Sequence, residues 1–249
     1  MDMEKASNYI RGVELLRDKI PSFSDYPFYL PVICGLSRLE LHSKVTYFVG
    51  ENGTGKSTIL EAIATSYGFN PEGGTKNFNF SSMVTHSKLY EYIRLAKGIK
   101  RPKDGFFLRA ESFYNVATNI DELDREGVGP RIIDSYGGRS LHRQSHGEAF
   151  LSLFLNKFRG EGVYILDEPE AALSPIRQMT MIARMHELVS QGSQFIIATH
   201  SPIIMAYPDA VIYEIKEDIR EVRYEETEHY KVMRDFLSNK DKMLDILMR

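Results

Sequence analysis

The nine residues GENGTGKST, Gly50 to Thr58, constrain this chain more than any other stretch. They match the pattern G-x-x-x-x-G-K-[ST], and they sit where that pattern has a mechanism. Before them KVTYFVG, from Lys44, is a short β-branched and aromatic run; after them STILEAIATSYG carries apolar positions at helical spacing. Strand, loop and helix follow in that order. In such a loop Gly53 and Gly55 let backbone N–H groups wrap a β-phosphate, Lys56 reaches the β and γ oxygens, and Ser57 offers its hydroxyl to Mg²⁺. Gly50, Glu51, Asn52, Thr54 and Thr58 complete the expected nucleotide contact. A glycine-rich turn without a ligand is the alternative, and the flanking strand and helix speak against it.

Two more near-continuous apolar runs, GVYILDE and SQFIIATH, read as strands buried on both faces of a parallel sheet. Between them SPIRQMTMIARMHELVSQG has Ser174 as N-cap, Pro175 at the first helical position and Gly192 as its stop. Apolar positions recur at Ile176, Met179, Ile182 and Val189. Strand, helix, strand implies a right-handed crossover. The first run ends in Asp167 and Glu168, paired carboxylates beside the phosphate crevice. Asp167 can hold Mg²⁺ through its water shell, and Glu168 is placed to polarise an attacking water. That second carboxylate separates a hydrolase from a phosphotransferase, although DEPE could also be a solvated turn. His200, just past the second run, would donate a hydrogen bond to the γ-phosphate or to water.

The stretch RQSHGEAFLSLFLNKF, Arg143 to Phe158, reads in two ways. Ser145 and Glu148 form a capping box. Gly147, in the first turn, costs about 1 kcal/mol relative to alanine and is retained where something must come close. Elsewhere a helix is expected around SKLYEYIRLAKG, a strand at GFFLRA, a hairpin from AVIYEI to REVRYEE, and a polar-apolar helix ending in MLDILMR.

With 249 residues, 43% of them hydrophobic, the chain is long enough to bury a sizeable core. A net charge of −3 gives no bulk footprint for nucleic acid or an anionic membrane. Lys97, Lys100, Arg101 and Lys103 form a local basic cluster that either meets phosphates or is a charged exposed loop. The lone Cys34 excludes an internal disulfide and any multi-cysteine zinc site, and it fits a reducing cytoplasm. With no secretory signal and no apolar run of about 18 residues, neither export nor membrane insertion is expected.

Taken together, GENGTGKST, QSHGEAF, VYILDEPE, AALS and ATHS resemble the Walker A, signature, Walker B, D-loop and switch-histidine motifs of ABC-class P-loop ATPases. Gly147 to Asp167 is 20 residues and Asp167 to His200 is 33, spacings like those of that class. FNPEGGTKNFNF, GFFLRAESFYN and ATHSPIIMAYPDAVIYE further resemble a family of small bacterial predicted AAA-type, ABC-like ATPases without a defined substrate, of the chromosome-maintenance and recombination-repair kind. The resemblance implies an α/β P-loop NTPase fold: a mostly parallel core sheet, an N-terminal antiparallel β part, and a helical signature subdomain at about 81–158. All of it would form one ATPase head spanning 1–249.

The same resemblance implies ATP and Mg²⁺, the ion held by Ser57 and Asp167, with Lys56, Glu168 and His200 as the catalytic set. It further implies a head-to-tail homodimer in which Ser145 and Gly147 touch the γ-phosphate bound by the partner chain and Ser174 lies near the seam. On that reading Gly147 lacks a side chain so that the phosphate can approach. Closure on ATP and opening on hydrolysis would regulate an unidentified protein partner, in DNA repair or phage defence, with DNA a candidate ligand. The alternatives are a transporter's nucleotide-binding subunit and a small-molecule kinase. Three departures stand out. His146 replaces a glycine of the transporter signature, Arg109 and Glu111 occupy the region of an expected glutamine, and only Phe28 and Tyr29 lie at a plausible distance to stack on adenine.

Overall fold

In the computed structural model, residues 8–76, 87–109, 113–126, 131–136, 138, 142 and 144–248 are described. The chain passes through β1 (Ile10–Leu15), the short helix α1 (Pro31–Cys34), β2 (Arg38–Glu40) and β3 (Val45–Gly50) into α2 (Lys56–Tyr67). Next come β4 (Ile93–Lys97), β5 (Asp104–Arg109), α3 (Phe113–Glu126) and α4 (His146–Asn156). A strand-helix-strand unit follows, β6 (Gly162–Asp167), α5 (Pro175–Ser190) and β7 (Gln194–Ala198). The chain ends in the hairpin β8 (Val211–Ile215) and β9 (Ile219–Val222) and two helices, α6 (Glu228–Ser238) and α7 (Lys240–Leu247).

Six strands form the main sheet in the order β5-β6-β7-β3-β8-β9, parallel except for β9. Every residue of β3, β6 and β7 is buried. Their continuous apolar runs divide by the two-residue period of a strand. Tyr47, Tyr164, Leu166, Phe195 and Ile197 face a core shared with α4 and α5. Phe48, Val163, Ile165 and Ile196 face a second core shared with α2 and the N-terminal sheet. Two layers of side chains thus pin the sheet between helices and a smaller sheet, as the parallel-sheet reading requires.

That smaller sheet is antiparallel, in the order β2-β1-β4. Its third strand corrects an expectation. Residues 88–92 form a 3-10 turn, and the rest of SKLYEYIRLAKG is β4 rather than helix. Pairing with β1, which sets Ile93 opposite Leu15 and Leu95 opposite Val13, overrides the local helical spacing. Because β4 and β5 both belong to sheets, the helical part expected from about residue 81 begins, among the described residues, at α3.

The helix α5 begins where expected, with Ser174 as N-cap and Pro175 at its first position. Its apolar positions divide between faces, with Ile182 and Val189 packed against the core. Gln178, Met181, Met185 and Leu188 are buried, whereas Ile176 is 72% and Met179 54% exposed. Apolar residues lie on both sides of this helix, and burial of Gln178 follows from its hydrogen bonds, which apolar spacing cannot reveal.

Buried side chains join the two sheets: Tyr213 Oη of β8 donates to Glu40 O of β2 at 2.8 Å, and Gln194 makes the denser link. Gln194, at the start of β7, accepts from the N–H groups of Tyr9 (3.2 Å) and Ile10 (2.9 Å) and donates to the carbonyls of Ile10 (2.7 Å) and His42 (2.9 Å). All four hydrogen-bonding positions of the amide are satisfied. Gln194→Leu should lower stability by on the order of 3 kcal/mol, since it strands several buried backbone groups. A fall in the urea midpoint with an unchanged m-value would report it.

Candidate functional site

The three central strands end at one edge, and the polar groups gather there. β3 delivers the loop at Gly50, and α2 starts at Lys56 behind Gly55, whose φ of 96° is left-handed. A Cβ on Gly55 would lie 2.6 Å from Val32 Cγ1 and 3.2 Å from Leu30 Cβ, so the position is closed to other residues by space as well as by conformation. The segment at Leu30 to Val32 supports the loop from behind, and Val32 N–H donates to Thr54 O at 3.1 Å. With a glycine as N-cap, no side chain covers the first amides of α2, which leaves them for an anion.

Lys56 is 4% exposed, and its Nζ donates to Gly50 O and Glu51 O, both at 2.8 Å. Burial holds its ammonium below the usual lysine range, offset by the carboxylates of Glu168, Asp167, Glu51 and Glu170. Ser57 Oγ donates to Asp167 Oδ1 at 2.9 Å. A hydroxyl and a carboxylate converging from α2 and β6 are an oxygen donor pair suited to Mg²⁺, which keeps several waters and takes its remaining ligands from phosphate. The residues present therefore fit the ion.

Glu168 follows in the left-handed region (φ 50°, ψ 53°), rare for a residue with a Cβ, and its N–H donates to Ala198 O at 3.0 Å. This twist at the end of β6 brings Glu168 Oε1 to 3.3 Å from His200 Nε2. Burial, then the nearby Lys56 ammonium, pushes the His200 imidazole below its ordinary value, so the ring is neutral near pH 7.

Three residues not assigned from sequence hold His200 in place. Glu170 accepts from its backbone N–H at 2.5 Å, and burial raises that carboxyl. Gln178 accepts from Ser201 Oγ at 2.5 Å and donates to Leu173 O at 2.9 Å, tying the loop after β7 to α5. His229, on α6, reaches His200 Nδ1 with its Nε2 at 3.0 Å. Glu170 stood in plain view within DEPE. Gln178 and His229 carried no signal, because their partners are 23 and 29 residues away in the chain.

Ser145 and Gly147 form a second group. Glu148 accepts from the N–H of Ser145 (3.0 Å) and from its hydroxyl (2.8 Å), and these two hydrogen bonds hold the exposed Glu148 carboxyl below its usual value. Arg177 approaches the same carboxylate at 3.5 Å. The reason for Gly147 differs from the expected one. A Cβ there would stand 2.4 Å from Ala172 O and 2.6 Å from Arg177 Nη1, so α4 packs directly on the turn after β6 within its own chain. The His146 side chain lies outside what is described.

Other candidates resolve as follows. Phe28 is buried and meets Tyr92 edge-on at 4.9 Å, so it is core rather than a platform for a base; Tyr29 is 53% exposed. Arg109 pairs at 2.6 Å with the buried Glu61 of α2, while Glu111 lies outside the described residues. The Gly147 geometry yields a prediction. Gly147→Ala should destabilise the nucleotide-free protein by about 1–3 kcal/mol, the cost of overpacking against a fixed carbonyl, read as a lower Tm. An unchanged Tm would return Gly147 to a role that needs a bound phosphate.

Comparison with known proteins places this geometry. A family model described as an AAA domain matches residues 32–160, just over half of the chain, and one described as an AAA ATPase domain matches residues 142–205. The cytochrome c biogenesis ATP-binding export protein CcmA of Legionella pneumophila (strain Paris) is 28% identical over 204 residues, covering 78% of this chain and 93% of that protein. The chromosome partition protein Smc of Methanocaldococcus jannaschii is 25% identical over 161 residues, 53% of this chain and 14% of that protein. A solved nucleotide-free ATP-binding cassette from an ABC transporter shares the fold, with a TM-score of 0.51 at 16% identity over 92% of this chain and 95% of the other. With its loop, paired carboxylates and parallel sheet, the chain belongs to the AAA domain family and is an ABC-like P-loop ATPase.

Proposed function

We propose that this ATPase works as a head-to-tail homodimer that closes on two ATP molecules, opens on hydrolysis, and regulates a protein partner through that cycle. The whole chain, 1–249, acts as one head. The observation that carries this reading is Ser145, exposed at the start of α4 with its hydroxyl bonded to Glu148 rather than to the loop, the carboxylates or His200 of its own chain. The N-terminal end of α4, with its positive dipole end, can meet a phosphate held by a second copy, and Ser174 caps α5 close by.

Within one head, Lys56 and the first amides of α2 bind the β and γ phosphates, and Ser57 and Asp167 hold the Mg²⁺. The ion would neutralise charge on the phosphate oxygens when bound. Glu168 orients and polarises the attacking water, and His200 donates to the γ-phosphate side. Lys56→Ala should reduce phosphate release to background. Glu168→Gln should lower it by about 10²-fold or more while trapping a dimer with ATP and Mg²⁺ in light scattering. A Glu168→Gln protein that stays monomeric under those conditions would sink the dimer mechanism.

A transporter-subunit reading draws on the name of the CcmA relative, an ATP-binding export protein. No helix among the described residues is long and apolar enough to cross a membrane, so that role requires separate membrane subunits. Against it, the region of the expected coupling glutamine holds Arg109, locked to Glu61.

Nucleic acid as a further ligand is favoured by one feature. Lys76, Lys97, Arg101, Lys103 and Lys157 converge from separate segments on a cleft of about 560 Å³ floored by Tyr67. Lys76 lies over the Tyr67 ring at 3.8 Å, and burial, together with Lys97, lowers its ammonium. Among the described residues, the one carboxylate lining the cleft, Asp104, accepts from Tyr164 Oη (2.8 Å) and Arg159 N–H (3.2 Å), and Lys103 pairs with Glu161. If Lys76, Lys97, Arg101 and Lys157 each meet a phosphate, affinity for a mixed-sequence duplex should fall with log salt at a slope of about −3 to −4. Lys97→Glu with Arg101→Glu should abolish that binding in fluorescence anisotropy and leave ATP hydrolysis intact. Equal affinity in the charge-reversed protein would remove nucleic acid from this cleft.

A further inference from the structure

The contact between His200 and His229 joins the phosphate site to a helix that is otherwise peripheral. No residue of α6 is buried, and its seat on the body is made at its N-terminus. Thr227 is fully buried and caps the helix through Tyr230 N–H, Glu228 N–H donates to Glu214 Oε1 at 2.8 Å, and Lys216 Nζ pairs with Glu228 at 2.8 Å. These contacts set the register that puts His229 against His200. Together with Glu51, Glu228, Val232 and Met233 the two rings line a cavity of about 180 Å³ that opens beside the phosphate loop.

The hydrogen bond between two imidazoles is directional, since one nitrogen must donate and the other accept. Burial and the nearby Lys56 ammonium hold the His200 ring below its ordinary value, so it is neutral near pH 7. The neighbours decide the direction. His200 Nε2 approaches Glu168 Oε1 at 3.3 Å without an aligned hydrogen bond, and an N–H there is the arrangement that faces an acceptor oxygen and leaves a donor for a bound phosphate, so we assign the proton of His200 to Nε2. Its Nδ1 is then an acceptor, and the donor is His229 Nε2–H. The remaining nitrogen of His229, Nδ1, is buried without a hydrogen-bond partner among the described residues. That unsatisfied lone pair is accepted so that His200 holds one tautomer.

We propose that His229 is a positioning residue for ATP hydrolysis: its Nε2–H, donated to His200 Nδ1, fixes the tautomer and ring orientation that present the His200 Nε2–H to the γ-phosphate side of the site. This rests on the roles given above to His200 and Glu168. It makes the hydrolytic geometry depend on the seating of α6, an element outside the stretches that carry the family motifs. A lost hydrogen bond of this kind changes a rate by about tenfold.

Steady-state ATP hydrolysis by the full chain with Mg²⁺ tests this. His229→Leu, which keeps volume and removes the donor, should lower kcat about tenfold with KM for ATP within about twofold. His229→Gln, whose Nε2–H lies near the lost donor, should recover most of the rate. Long-range ¹H–¹⁵N spectra should show His200 protonated at Nε2 alone in the wild type and a mixture in His229→Leu. Equal rates for the Leu and Gln variants, at either the wild-type or the reduced level, would overturn the proposal. His200→Ala separates the two readings. If its rate matches wild type, the assignment of His200 fails; if it falls while His229→Leu does not, only the role of His229 fails. The double variant should be no slower than His200→Ala.

Discussion

Parallel register is the constraint on which the site depends. β3 lies between β7 and β8 with Phe48 opposite Ala198, and β6 sets Asp167 opposite the same Ala198. Hydrogen bonds in a parallel ladder run at even spacing, so three strands in this register end together. Gly50, Asp167 and the residues after Ala198 therefore reach one edge without any of them being placed individually. A slip of one residue in a central strand would exchange the side chains it presents to the two cores, and with both faces closely packed such a slip is strongly disfavoured. Burial on two faces sets the register, and register brings the chemical groups together.

At that edge the groups are held by contacts that work against local preference. Glu168 occupies a left-handed conformation costing on the order of 1–3 kcal/mol, over-determined by its N–H to Ala198 and by the turn that follows. Lys56 is buried beneath its own loop, where two carbonyls and the nearby carboxylates compensate for lost hydration. Glu170 is a buried carboxyl whose partner is the backbone of His200. Glu168 and Glu170 each tie the turn after β6 to the end of β7 and the loop that follows it.

The signature helix shows how one feature can serve two levels. Its first turn is capped within the chain by Ser145 and Glu148, and its glycine allows direct contact with Ala172 O. Both belong to the folded monomer. They also leave Ser145 at the surface. A residue pattern that looks functional is here first a packing requirement of the folded chain.

The local elements of the site were legible in the amino-acid sequence because short-range rules govern them. Lys56, Ser57, Asp167, Glu168 and His200 each sit at a strand end or helix start, where an apolar run stops and a polar group begins. The strand-helix-strand unit and the C-terminal hairpin were legible for the same reason. Tertiary structure decided whatever depended on distant partners. β4 is a strand because β1 needs an antiparallel neighbour, and α5 turns Gln178 inward because Ser201 and Leu173 use its amide. Gln194 reads as the polar start of a strand but joins two sheets. The helix-periodic tail hides a contact, His229 to His200, that reaches the phosphate site from outside the motifs. The sequence by itself determined which groups could do chemistry, since residue type and local spacing suffice for that. Only the tertiary structure decided which groups hold them in place, since that depends on contacts made across the chain.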